Sequence, residues 1–173
     1  MRSKPGIMLD YQLALNAQID KINPDQPATI PVLGFLIGND RWLVGMNEIG
    51  EVLPVPKITP VFLTRPWFLG MINVHGNPYG LCDLTQFIGD APTTGSSIKN
   101  RVILATSRLH ANCAILTGGM LGIRSMAEFT LSPDSDDPRP FVTGIYHDRQ
   151  GRPWRVLNLA RLVRLQAFYQ IAR

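Results

Sequence analysis

The chain has no apolar run near the roughly 18 residues needed to cross a bilayer. Its start, Met1 to Gly6, is basic, but Asp10, Gln12 and Asn16 interrupt the apolar residues downstream of it. A secretion signal needs a longer unbroken apolar core. These absences predict a cytoplasmic protein with no direct membrane insertion, whose membrane association, if any, comes through a partner. Cysteine is scarce: Cys82 and Cys113 sit in apolar, strand-like runs and read as buried thiols in a reducing compartment. With no Cys-x-x-Cys and no His-x-x-x-His, there are too few ligands for a closed zinc site. The glycines at 118, 119 and 122 lack the following Lys, or the strand-to-helix setting, of a phosphate loop. They read as strand-end and bulge positions. No cofactor and no metal are expected.

Charge is also sparse, at 17% of residues, with a net +4. The basic residues (Arg41, Lys57, Arg65, Lys99, Arg101, Arg108, Arg124, Arg139) form no dense run. A nucleic-acid footprint usually clusters on one face. A β-barrel nucleic-acid binder is therefore the alternative reading, and nucleic acid is not an expected partner.

What the 173 residues do contain is punctuation: 15 Gly and 14 Pro, spread along the chain. That pattern suits many short strands joined by turns. Residues 1–29 read as an N-terminal helical extension, with Leu9, Leu13 and Ala17 at helical spacing from Ile7 to Ile22 and prolines at 24 and 27 ending it. Residues 30–173 read as the main domain. Ile30 to Ile37 and Arg41 to Val44 pair around a Gly-Asn-Asp turn. Met46 to Val52 is ambiguous, with room for a helical turn, and the proline-rich Leu53 to Pro60 reads as an extended surface connection. Arg101 to Ser107 pairs with Asn112 to Thr117, and Phe141 to Tyr146 pairs with Trp154 to Leu157. Asn158 then caps a C-terminal helix.

The hairpin from Leu69 to Asp83 is the clearest local signal. Leu69 to His75 leads into a Gly76-Asn77-Pro78 turn, and Tyr79 to Cys82 returns. Asp83-Leu-Thr-Gln86 is a capping box that opens a short helix, and Ser125-Met-Ala-Glu128 is a second one. Alternation places Gly70, Ile72 and Val74 on one face, and Leu69, Met71, Asn73 and His75 on the other. If the second face is exposed, it has the mixed chemistry of a binding surface. The alternative is that another part of the fold covers Leu69 and Met71. Nucleophilic catalysis by His75 and Cys82 would need a third, orienting group. Asp83 already has work as a helix cap, so no enzyme is expected.

Two stretches match each other. Pro66-Trp-Phe-Leu-Gly70 parallels Pro140-Phe-Val-Thr-Gly144, and each leads into a hairpin. Gly80-Leu-Cys-Asp83 then parallels Arg155-Val-Leu-Asn158. This order predicts two related β-lobes.

At these residues the chain resembles a known family. Phe35-x-x-Gly38, Trp42-Leu-Val44, Ile49-Gly-Glu51-Val52, Ile58-Thr-Pro60, Gly70-Met-Ile-Asn-Val-His-Gly76 and Leu81-Cys-Asp83-Leu84 are similar to the CheW-like domain. Phe141-Val-Thr-Gly144 and Trp154-Arg-Val-Leu-Asn158 match its second half. The extension and Phe141-x-x-Gly144-x-Tyr146-His147 resemble members from type IV pilus (twitching) chemosensory systems.

The resemblance implies an all-β fold with a few short helices: two intertwined, five-stranded SH3-like β-barrels. It implies a non-enzymatic scaffold adaptor that couples a methyl-accepting chemoreceptor to a CheA-type histidine kinase. Kinase binding would be an edge contact between related barrels, and receptor helices would lie in an apolar groove near the lobe junction. Motif by motif, it carries partner-binding roles to Ile49, Glu51, Gly70, His75 and Gly144; the face pattern adds Leu69, Met71 and Asn73. His75 stands where the family usually has Arg. An imidazole offers fewer donors than a guanidinium, so a carboxylate contact there would weaken by roughly 1–2 kcal/mol.

Overall fold

The computed structural model describes residues 31–89 and 97–173. The predicted N-terminal helix and most of the polar loop after Gly89 lie outside those residues.

Among the described residues, eleven strands form two sheets. The first half of the chain supplies β1 (Pro31–Ile37), β2 (Asp40–Gly45), β3 (Ile49–Pro54), β4 (Phe68–Val74) and β5 (Asn77–Asp83). The second half supplies β6 (Arg101–Ala105), β7 (Cys113–Thr117), β8 (Gly119–Ser125), β9 (Thr130–Leu131), β10 (Val142–His147) and β11 (Pro153–Leu157). The helices are short: α1 (Leu84–Phe87), α2 (Leu159–Arg164) and α3 (Gln166–Tyr169). Sheet 1 runs β8-β1-β2-β11-β10-β9, and sheet 2 runs β3-β6-β7-β5-β4. The class is the expected one, mostly β with few short helices.

The two sheets repeat one pattern. In each, an antiparallel hairpin (β1–β2 or β6–β7) lies parallel to the return strand of a second hairpin (β11 or β5). An outer strand, β8 or β3, pairs on the far side. The first hairpin of each sheet comes from one half of the chain and the other strands of the pattern from the opposite half, so the halves are interleaved. The bulges match as well: Phe68/Gly70 in one hairpin, Val142/Gly144 in the other. The caps also match. The N–H of Asp83 donates to Trp67 O (2.7 Å) and that of Asn158 to Phe141 O (2.7 Å).

The core explains the apolar runs. One large cluster lies between the sheets and holds Leu33, Phe35, Trp42 and Val44 from sheet 1 with Val52, Phe68, Ile103 and Ile115 from sheet 2. Each sheet has a second cluster on its other face: Val32, Leu43, Phe129 and Trp154 in one, Ile72, Val74, Leu81, Val102 and Leu104 in the other. The central strands are therefore buried on both faces, and their sequences read as unbroken apolar runs. Each such side chain contributes roughly 1.5–3 kcal/mol.

Two elements differ from the sequence reading, and a third, β8, is one that it did not assign. β3 continues through Leu53 and Pro54, opposite Val102 and Arg101. As an outermost strand it tolerates a proline. β8 runs through Gly119 and Gly122 and bends beside Gly34, where the β1–β8 register shifts. The C-terminal helix is broken at Leu165, whose extended backbone (φ −66°, ψ 128°) separates α2 from α3.

Two carboxylates pin the loops of sheet 1. Asp148 accepts bonds from Trp154 Nε1 (3.0 Å), Arg152 Nε (2.7 Å) and the N–H groups of Gln150 and Arg152 (2.9 Å each). Burial opposes the charge, but these bonds hold its carboxyl well below the usual carboxylate range. Asp137 is lowered too, chiefly by its bond from Arg139. A lowered native pKa adds stability that is full above the unfolded carboxylate range and is lost as pH falls through the native value. Asp148→Asn should therefore lower the melting temperature at neutral pH, and the gap to the parent should close as pH drops below about 4. Thermal melts across that range check this.

Candidate functional site

The hairpin β4–β5 turns one residue earlier than the sequence suggests. His75 and Gly76 are the loop, with φ of 52° and 82°, while Asn77 and Pro78 already pair with Val74 and Asn73. Two consecutive positive φ values define the tight turn that matches strand twist. Asn73 Oδ1 accepts the Gly76 N–H (3.0 Å) and fixes it.

This turn presents His75 to β3. Its Nε2 lies 3.1 Å and 3.3 Å from the two carboxylate oxygens of Glu51. The His75 side chain is 58% exposed and that of Glu51 20%. β3 and β4 are the two outer strands of sheet 2, so the sheet curls until its ends approach. Beyond β3 the chain crosses to β4, where Thr59 and Met71 exchange backbone bonds of 2.8 Å each. Two residues singled out separately from sequence, Glu51 and His75, thus form one surface feature. As an exposed carboxylate–imidazole contact it adds little to stability. It fixes the orientation of a carboxylate and an imidazole at one end of the sheet.

The other candidate residues divide. The bulge at Leu69 breaks the alternation: Leu69 packs with Ile72, Val74 and Leu81, whereas Met71 packs on the shared core. The predicted single face of Leu69, Met71, Asn73 and His75 is therefore not formed, because one extra residue reverses the sides. Gly70 is buried at φ +134°, and a Cβ there would collide with the Thr59 carbonyl oxygen. Ile49 is half-buried against the shared core. Gly144 lies in sheet 1 near the Tyr146 ring.

Met71 opens onto a second feature. It lines an apolar cleft of about 290 Å³ with Phe68, Cys82, Cys113, Phe168 and Ile171. Trp67 stacks on Phe168 (5.6 Å between ring centres) and meets Phe87 edge-on (5.1 Å), which fixes the C-terminal wall. The sequence reading of a single closing helix passed over this wall. Leu165 carries no breaker signal, and Ile171 lies beyond the helices. Both cysteines are free and buried at the cleft. The hydrogen bond with Cys113, then burial, pushes the Cys82 thiol up, so it stays protonated and is a poor nucleophile. Its sequence neighbour His75 is engaged by Glu51 instead. Among the described residues no group of His, Cys, Asp and Glu could hold a metal ion, and no helix is long and apolar enough to cross a membrane.

This two-sheet architecture with swapped hairpins is that of a recognised class. Residues 31–167 match the CheW-like domain family, and the chain belongs to it. Protein PilI of Pseudomonas aeruginosa is 29% identical over 145 residues, covering 81% of this chain and 79% of that protein. The crystal structure of scaffolding protein TtCheW from Thermoanaerobacter tengcongensis superposes with a TM-score of 0.66 at 18% identity, over 84% of this chain and 95% of that one.

Proposed function

We propose that this chain is a non-enzymatic scaffold adaptor of the cytoplasm that couples a methyl-accepting chemoreceptor to a CheA-type histidine kinase. Its similarity to PilI favours a type IV pilus (twitching) pathway. The observation that carries the reading is the Glu51–His75 pair, which joins β3 to the hairpin tip and makes one edge for a related barrel to meet. The apolar cleft is a separate surface, suited to the apolar face of receptor helices. An adaptor needs two such surfaces, free at once.

Glu51→Lys replaces an attraction to His75 with a like-charge or neutral contact, and leaves the core untouched. It should weaken binding of the CheA-type kinase at least tenfold, about 1.4 kcal/mol, with an unchanged melting temperature. Pull-down with the purified kinase checks this; unchanged binding by a folded variant would remove the kinase from this edge.

A further inference from the structure

Phe62 and Leu63 stand out into water at 89% and 82% exposure. A short ladder holds them there. The Arg65 N–H donates to Ile171 O (2.8 Å), the Arg173 N–H donates to Leu63 O (2.9 Å), and Thr64 bridges Ala172. The Thr64 hydroxyl donates to Val61 O (3.0 Å). Leu63 is held at φ +59°, a conformation that glycine adopts freely and other residues adopt at a cost. The chain thus keeps two large apolar groups on a clamped, strained loop in water. Ile171 is both part of the clamp and part of the cleft wall, so this knob borders the cleft. Tyr169, 61% exposed, continues the apolar surface.

Basic side chains flank it. Arg65 and Arg173 belong to the ladder, and Arg164 follows Val163 of the cleft wall; all three are exposed. Among the described residues, none of the three has a carboxylate within ion-pair distance. The carboxylates are largely used elsewhere: Asp40, Glu51, Glu128, Asp137 and Asp148 face His or Arg, while Glu48 and Asp83 cap helices. No residue lining the cleft is acidic.

We infer that the cleft and knob take an amphipathic helix with acidic flanks. This rests on the reading of the cleft as a helix-docking surface and adds its partner chemistry. The apolar stripe enters the cleft beside Met71 and Phe168, Phe62 and Leu63 pack against the stripe's end, and carboxylates meet Arg65, Arg164 and Arg173. A flat anionic bilayer would reach the knob and leave the cleft empty.

Two labelled peptides of about 20 residues test this, with the same Leu/Ile stripe and either Glu or Gln on its flanks. Anisotropy titrations with the full chain should show the Glu peptide binding about five- to tenfold tighter at low salt. That advantage should vanish near 0.5 M salt, where the screening length is about 4 Å, and in the double variant Arg164→Gln/Arg173→Gln. Leu63→Gly should weaken both peptides severalfold while raising the melting temperature, because it relieves strain as it removes the knob. Equal affinity for the two peptides overturns the acidic-partner inference and leaves the docking reading standing. Binding of neither overturns both. Chain that instead co-sediments with phosphatidylserine vesicles through Phe62 overturns the helix as occupant.

Discussion

Glu48→Ala should cost about 2–4 kcal/mol of stability, from two lost bonds to a charged acceptor. Glu48 sits in the 3-10 turn Met46–Glu48, where the chain leaves sheet 1 for sheet 2. Its carboxylate reaches the start of α2, where Oε2 accepts the Leu159 N–H and Oε1 the Ala160 N–H, both at 3.1 Å. Asn158 Oδ1 accepts the Arg161 N–H at 2.9 Å. Three of the N–H groups that a helix start leaves unpaired are thereby satisfied, two of them by a residue more than a hundred positions away. The negative charge also lies at the favourable end of the helix dipole. Glu48 holds the crossover too, since its carbonyl accepts the Thr106 N–H at 2.9 Å. Glu48→Gln should cost about half as much, because one amide oxygen remains to accept while its NH₂ faces a donor. Urea unfolding of the three proteins checks this order. Because α2 leads into the cleft wall at Phe168, Glu48→Ala should also loosen the cleft, visible as faster amide exchange in residues 159–171.

Gly70→Ala should cost about 2–4 kcal/mol, and Gly144→Ala clearly less. Both glycines sit at matching bulges, so the sequence alone treats them alike. At Gly70 an added Cβ runs into the Thr59 carbonyl oxygen, on a backbone at φ +134°. Backbone must move, and the mutual Thr59–Met71 bonds go with it. At Gly144 the added Cβ meets a ring atom of Tyr146 at 3.1 Å and Leu131 Cδ1 at 3.5 Å, and side chains there can shift. The contrast bears on function as well: loss of activity in Gly70→Ala would report a broken β3–β4 closure rather than a lost contact. Melting temperatures of the two variants, read beside kinase binding, separate these effects.

Much of the fold is legible in the sequence because the physics is local. The first hairpins are apolar runs bounded by polar turns, and Asp83 and Asn158 cap the helices that their spacing assigns to them. The Asp83 box differs in one bond: Gln86 Nε2 donates to the Asp83 carboxylate (3.1 Å), because the Asp83 N–H is already given to Trp67. The illegible parts depend on partners distant in sequence. Pro54 looks like a strand breaker until β3 is known to be outermost. Gly119 and Gly122 read as a strand end and a bulge, but the strand between them shows only when β1 supplies the ladder. The face of Leu69 depends on a bulge that only the pairing with Cys82 and Leu81 reveals.

The candidate site divides in the same way. Glu51 and His75 are each marked by their place in a motif, and no periodicity could show that a curled sheet makes them touch. Phe62 and Leu63 lie just past the proline-rich connection, in a stretch with no hairpin or helix signal. Their exposure follows from the clamp by residues 171–173, and no local pattern encodes it.

An adaptor must hold two partners at once. Sedimentation of a receptor cytoplasmic fragment with a purified CheA-type kinase, with and without this protein, tests that bridging directly. The kinase should sediment with the receptor only when the chain is added, and Glu51→Lys should abolish this while the chain itself still sediments. Receptor that carries down the kinase equally well without the chain, or a chain that binds each partner but never both together, would contradict the bridging role.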